Sequence, residues 1–426
     1  MDGCIILMKK IFTKILKLFY KYDSRYTIVK DNKFKYDKTI VWSVDHSWNS
    51  VEWCLPGLYY LKKHYDVNFV FLAADRGIWY KCEENKEVYS ILEKTVDVII
   101  INTQDEFEHN WIQRKKNRLW KSLLDEESLK YFFGNIKVDI LLELMTPSYV
   151  HRYFKKYHPD TIRVTYEHVT SMKIADVKLE YYLSSFKEGN YQFCTDNALY
   201  DIVDEDIKSR ISVIGAGQLD DWWIELINKK SLLELQEKLD NKKNTVLILL
   251  PALGNERLYS EDKLALIKAI RYLYENENIL LKFHPREKLE NRLEFARNIC
   301  DDYQNDKIFI TTLNTECVAK IANCVVVVGA TSSAGAAVIN DVPVIEFHSN
   351  KPILSFYEEN GQYGSLLKVK NAIMSAEDYD SLVAAINGVL YHNAWDMYRG
   401  RYKEYINHDN KASQRFAEAL IKIMEQ

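Results

Sequence analysis

Short apolar runs alternate with longer amphipathic stretches along most of the chain. In the first half the runs Lys38–Val44, Val67–Ala73, Val96–Ile101, Asp139–Leu144, Ile162–Thr165, Glu180–Ser185 and Ile211–Ile214 predict strands. Pro56–His64, Lys86–Glu93 and Trp111–Phe133 carry helical periodicity between them. A charged helical stretch, Ile224–Asn244, breaks the alternation and marks a domain boundary. The rhythm then restarts. Strands are predicted at Thr245–Leu250, Ile279–Phe283, Lys307–Thr311, Cys324–Val328 and Val342–Phe347. Helices are predicted at Ser260–Tyr274, Lys288–Ile299, Thr315–Ala322, Ser333–Ile339, Ala376–Leu390 and Lys411–Met424. Strictly alternating strands and helices give mostly parallel sheets covered on both faces. The expectation is an α/β chain with two doubly wound, Rossmann-like domains, residues 26–228 and 244–426, facing each other across a cleft. A linker at 229–243 joins them.

In such sheets ligands bind beyond the carboxyl ends of the strands, so the strand-end loops hold the candidate chemistry. Ile279–Phe283 runs into His284-Pro285-Arg286. Pro285 fixes the turn. His284 can donate to a phosphate oxygen or protonate a leaving group, and Arg286 offers a bidentate fork. Cys324–Val328 runs into Gly329-Ala330-Thr331-Ser332-Ser333 and a small-residue helix. Gly329 allows a sharp turn, and Thr331, Ser332 and Ser333 stand at a helix start, where N–H groups favour anions. The run is neither a Walker loop nor a dinucleotide fingerprint. Glu167 and His168 follow a first-domain strand and are alternative general bases for an acceptor hydroxyl. Asp45, His46, Ser47 and Asn49 occupy a similar rim position, with Trp48 and Trp53 as aromatic faces for a sugar. Asp220 and Asp221 fit either a donor contact or a hinge. The acidic string Asp204-Glu205-Asp206 has no apolar strand before it and is read as solvated surface, so metal-independent chemistry is expected.

Composition narrows the class. The chain has 426 residues, more than one core usually organises, and 47% are apolar. Gly and Pro number 14 and 7, too few for a linker-rich or disordered chain. A net charge of −4 gives no ground for nucleic-acid binding. The seven Cys are scattered without a CxxC pair, which fits a reducing cytoplasm better than a disulfide scaffold or zinc site. Near the amino terminus, Ile5, Met8, Ile11, Phe12, Ile15, Leu16 and Phe19 recur at helical spacing, with Lys9, Lys10, Lys14, Lys17 and Lys21 on the other side. Residues 1–25 are therefore expected to form a basic amphipathic helix, with 5–21 contacting the anionic inner face of a membrane from the cytoplasmic side.

Together the Lys-x-His-Pro loop at 282–285 and the Ser332-Ser333 helix start resemble GT-B transferases that build bacterial surface polysaccharides. Two branches are similar. In the CDP-glycerol glycerophosphotransferases, the two functional histidines fall on His168 and His284. The serine segment falls on Ala330–Ser333, and a late motif falls on Asp409–Arg415. In the bacterial sialyl- and polysialyltransferases, the motifs fall on Tyr166-Glu167-His168, His284-Pro285 and Ser332-Ser333, with Glu167 as base. The resemblance implies a GT-B fold, an acceptor-side first domain and a donor-binding second domain. It also implies a CMP- or CDP-linked donor, a hydroxyl acceptor on a capsule, lipooligosaccharide or teichoic-type glycan, and no further cofactor. A UDP-N-acetylhexosamine 2-epimerase-like enzyme and a non-catalytic scaffold of an envelope complex are the alternatives.

Overall fold

The computed structural model describes residues 26–44, 48–74, 78–80, 82, 85–102, 126–144, 149–166, 191–195, 197, 200–227, 229–251, 260–284, 287, 289–300, 308–329, 333–349, 357–359, 361–406 and 408–426. The segment 5–21 and the strand expected at 180–185 lie outside the described residues.

Eight strands form the first sheet: β1 (Tyr26–Asp31), β2 (Thr39–Val44), β3 (Asn68–Ala73), β4 (Val98–Asn102), β5 (Ile140–Leu144), β6 (Ile162–Tyr166), β7 (Tyr191–Cys194) and β8 (Ile211–Val213). Their order is β1-β4-β3-β2-β5-β6-β7-β8, and β1 is an antiparallel edge strand. The second sheet has β9 (Thr245–Leu250), β10 (Asn278–Phe283), β11 (Ile308–Ile310), β12 (Cys324–Val328) and β13 (Val344–Phe347). A hairpin of β14 (Tyr357–Glu359) and β15 (Gln362–Gly364) precedes its last strand, β16 (Met374–Ala376). The order is β11-β10-β9-β12-β13-β16, parallel at every pairing.

Nine helices matter below: α1 (Trp48–His64), α2 (Lys86–Thr95), α3 (Tyr149–Tyr157), α4 (Ser260–Leu273), α5 (Leu289–Ile299), α6 (Thr315–Ala319), α7 (Ser333–Val338), α8 (Tyr379–His392) and α9 (Ala412–Met424). The chain divides into two compact units, residues 1–47, 66–84 and 96–163, and residues 48–65, 85–95 and 164–426. In the first, Val41, Val70, Leu72 and Leu141 pack against Leu129, Phe133, Tyr153 and Phe154. Its polar interior is a buried triad, in which Glu143 of β5 accepts from Arg163 of β6 and lies 3.5 Å from His151 of α3.

In the second unit, β9 (TVLILL) and β12 (CVVVV) are buried at every position. Strands covered on both faces read as continuous apolar runs. Val246, Ile248 and Leu250 face α4, α5 and α8, whereas Leu247 and Leu249 face α6 and α7.

Helix α1 starts at Trp48, eight residues before the expected Pro56. Pro56 removes one N–H from the helix interior without ending it. The next residue, Gly57, lies against α9, where an added Cβ would come within 2.4 Å of Phe416. Phe416 in turn meets Phe193 edge-on at 5.2 Å.

Asp220 is neither donor contact nor plain hinge. It is 1% exposed, and its carboxylate accepts the N–H groups of Ala412 at 3.2 Å and Ser413 at 2.8 Å. Those are the orphan donors at the start of α9, where the helix dipole also favours negative charge. Asp221 exchanges hydrogen bonds with Asn410, and Arg415 bridges Asp409 at 2.6 Å and the Ile214 carbonyl at 3.0 Å. The Asp409–Arg415 run is thus a latch for the last helix. Asp220→Ala should lower stability by ~2 kcal/mol or more, since it strands two buried N–H donors. Asp220→Asn should recover part of this, as read by urea or thermal melts.

Candidate active site

The second sheet reverses its winding between β9 and β12, the switch point where open α/β sheets bind ligands. Phe283 of β10 is level with Leu250 of β9, and Val327 of β12 is level with Leu249. His284 and Gly329 are therefore the first residues past one common level, a strand to either side of β9. At ~4.8 Å per strand, their backbones stand roughly 10 Å apart. Gly329 takes φ 73°, a left-handed turn that a Cβ would strain, and its N–H donates to the Phe347 carbonyl at 2.9 Å. Ser333 then opens α7.

Period-two alternation gives the facing. Ile279, Leu281 and Phe283 point to the α4–α5 side and Leu280 to the α6–α7 side. Lys282 shares Leu280's side, on which α7 also packs. His284 is tied through Glu287 to α5. Its carbonyl accepts the Glu287 N–H at 2.9 Å, the Glu287 carbonyl accepts Arg292 Nε at 3.0 Å, and the buried Glu287 carboxylate accepts from Asn291.

Of the other residues singled out in the sequence, Asn49 falls in the first turn of α1. Asp45, His46, Glu167, His168, Pro285, Arg286, Thr331 and Ser332 lie outside the described residues. Trp53 departs from its expected role as a sugar platform. It is 7% exposed and packs with Ala216, Leu219 and Ala336, so it joins α1 to α7. Asp204, Glu205 and Asp206 are exposed, and Glu205 pairs with Lys208 at 2.7 Å.

A charged cluster beside His284 was not anticipated. Lys282 of β10, Glu316 of α6 and Glu52 of α1 are mutually close and partly buried. Burial lowers the Lys282 pKa, and the two carboxylates oppose that shift. Burial and the Glu52 charge raise Glu316 to about 7, against the pull of Lys282 and a hydrogen bond from Gln218. Glu52 accepts from Asn314 Nδ2 at 2.8 Å, and Asn314 Oδ1 accepts from Asn85 Nδ2 at 3.4 Å. The Gln218 Oε1 is buried without a partner. Spacing alone gives no signal for this cluster, because its members come from five separate segments.

A second buried network closes the β13 end. Glu346 and His348, both 0% exposed, meet at 3.0 Å, and Lys368 Nζ lies 3.4 Å from the same imidazole nitrogen. Glu346 also accepts the Ser365 N–H at 2.9 Å.

No family model matches this sequence, and no curated protein does. Solved structures match in fold. The UDP-GlcNAc 2-epimerase from Neisseria meningitidis, bound to UDP-GlcNAc, superposes with TM-score 0.61 at 12% identity, over 90% of this chain and 100% of that one. A glycosyltransferase from Rickettsia africae gives 0.52 at 15%, over 91% and 98%. A co-structure of S. aureus MnaA with UDP gives 0.57 at 12%, over 91% and 98%. The two Rossmann-like sheets and these similarities establish a two-domain GT-B fold.

The raised Glu316 carboxyl carries a stability signature. The folded state holds its proton more tightly than the unfolded chain, so this contribution is present at low pH and is lost as pH rises from about 4.5 to 7. Glu316→Gln should gain ~2 kcal/mol relative to wild type between pH 5 and pH 8, measured by urea melts at both values.

Proposed function

We propose that this protein is a GT-B enzyme acting on a nucleotide-activated sugar. In this reading it transfers a glycosyl or alditol-phosphate group from a cytidine-nucleotide donor to a hydroxyl of a bacterial surface glycan. The observation that carries the enzyme reading is the level ending of β10 and β12 at the switch point, with His284 on one side of β9 and Gly329 on the other. Nucleotide ligands named in solved structures of this fold support it: UDP-GlcNAc in one and UDP in another. The cytidine preference and the glycan acceptor rest on the motif resemblance at 166–168, 282–285 and 330–333.

In the proposed reaction Glu167 or His168 takes the proton of the acceptor hydroxyl. The hydroxyl oxygen forms the new bond to the transferred carbon or phosphorus as the bond to the nucleotide phosphate breaks. Charge gathering on the departing phosphate is met by His284, Arg286 and the helix start at Ser332 and Ser333. No helix among the described residues is long and apolar enough to cross a membrane. In this proposal the basic amphipathic segment 5–21 holds the enzyme against the cytoplasmic face of an anionic membrane, near its acceptor.

The epimerase reading is also supported by the UDP-GlcNAc 2-epimerases of this fold, and it needs no acceptor. Calorimetry with CMP, CDP and UDP, followed by a nucleotide-sugar panel read by product mass, separates the two. Transfer predicts tighter cytidine nucleotides and a product heavier than the acceptor. Epimerisation predicts UDP binding and an unchanged mass. His284→Ala should weaken nucleotide binding or turnover at least about tenfold. Full activity in that variant would remove His284 from the site.

A further inference from the structure

Lys282 has an unusual setting. A lysine in a central parallel strand meets helices on both faces, where an ammonium loses hydration. Lys282 keeps that position with Glu52 and Glu316 close enough to counter the loss. No ion pair within 4.0 Å joins it to either carboxylate among the described residues, and its ammonium makes no hydrogen bond to them. It stands two residues before His284, the first residue past the end of β10, roughly 7 Å away along the chain. That is within the length of its own side chain from the strand end.

The two carboxylates are held in place by other groups. Asn314 binds Glu52, and Gln218 binds Glu316. The groups around the cluster are Glu52 from α1, Lys282 from β10, Arg292 from α5, Glu316 and Cys317 from α6, and Gln218 from the Gly217–Leu219 turn. Two acids crowd one lysine, and this balance changes when a polyanion arrives at the same strand end.

We propose that Lys282 is a ligand for the nucleotide phosphates, and that its turn toward them is coupled to protonation of Glu316, so that nucleotide binding takes up a proton. The proposal rests on the nucleotide-sugar reading above. An incoming phosphate attracts the ammonium away from the carboxylates. Glu316, left beside Glu52 and facing a new negative charge, takes a proton from solvent. A ligand without phosphate produces neither step. Affinity for nucleotide phosphates therefore falls as pH rises above 7, where that proton becomes costlier to supply.

The test is calorimetry of the full chain with CDP and UDP at pH 7.8, in Tris and in HEPES. The slope of apparent enthalpy against buffer ionisation enthalpy counts protons taken up. Wild type is expected to take up about half a proton or more per nucleotide. Glu316→Gln should bind with that uptake largely abolished, and Lys282→Met should bind at least about tenfold more weakly. Lys282→Arg should recover most of the affinity, which a merely structural lysine would not require. Thermal melts confirm that each variant is folded. Wild-type binding with no buffer dependence, or with uptake unchanged in Glu316→Gln, would overturn the coupling. Equal affinity in wild type and Lys282→Met would overturn the ligand role while leaving the nucleotide reading intact. Failure of the wild type to bind CMP, CDP or UDP would overturn both.

Discussion

Burial of both faces of the second sheet governs where this protein can place chemistry. β9 and β12 have no exposed residue, and helices cover them on either side. A polar group in the middle of such a strand would lose its hydration without compensation. Reactive side chains are therefore displaced to the carboxyl edge, where the strands end and helix starts supply donors. The register brings β9, β10 and β12 to that edge at one level, and the order of the strands opens the crevice there. Lys282 and Glu346 are exceptions, each one residue inside the edge: two carboxylates offset the Lys282 charge, and Glu346 is paired with His348.

The scaffold around this edge is assembled from distant stretches of chain. Trp53 of α1 packs with Ala216, Leu219 and Ala336, and Asn314 reaches Glu52. Asp220 holds the start of α9, and Phe416 fills the space that Gly57 leaves on α1. Each tie satisfies a buried donor or an apolar surface, and together they fix Glu52 beside β10. The raised Glu316 follows from this arrangement, since burial, and after it the neighbouring Glu52 charge, outweigh the pull of Lys282.

Identity of 9–15% to solved structures of the same fold is consistent with a core specified by pattern more than by particular residues. Many sequences bury these strands, whereas function depends on the few residues at their ends. The proposed function draws on the His284-Pro285 and Ser332-Ser333 motifs more than on the fold.

Local periodicity was enough to locate most strands and helices, because alternation and helical spacing are written in adjacent residues. Thr245–Leu250 and Cys324–Val328 came out with their observed bounds. β1 and β7 were not legible. β1 is a mostly exposed edge strand with a polar reading, and β7 spans only four residues. Pro56 marked a false helix start, since tertiary packing against α9 outweighs the lost hydrogen bond. The places of His284 just past β10 and of Ser333 at the start of α7 were legible because each lies beyond an apolar run. Glu52, Glu316 and Gln218 were not, for each looks like an ordinary surface residue in its own segment. Only folding brings residues 52, 218, 282 and 316 together, and it is burial in that setting, absent from any local stretch, that lowers the Lys282 pKa and raises that of Glu316.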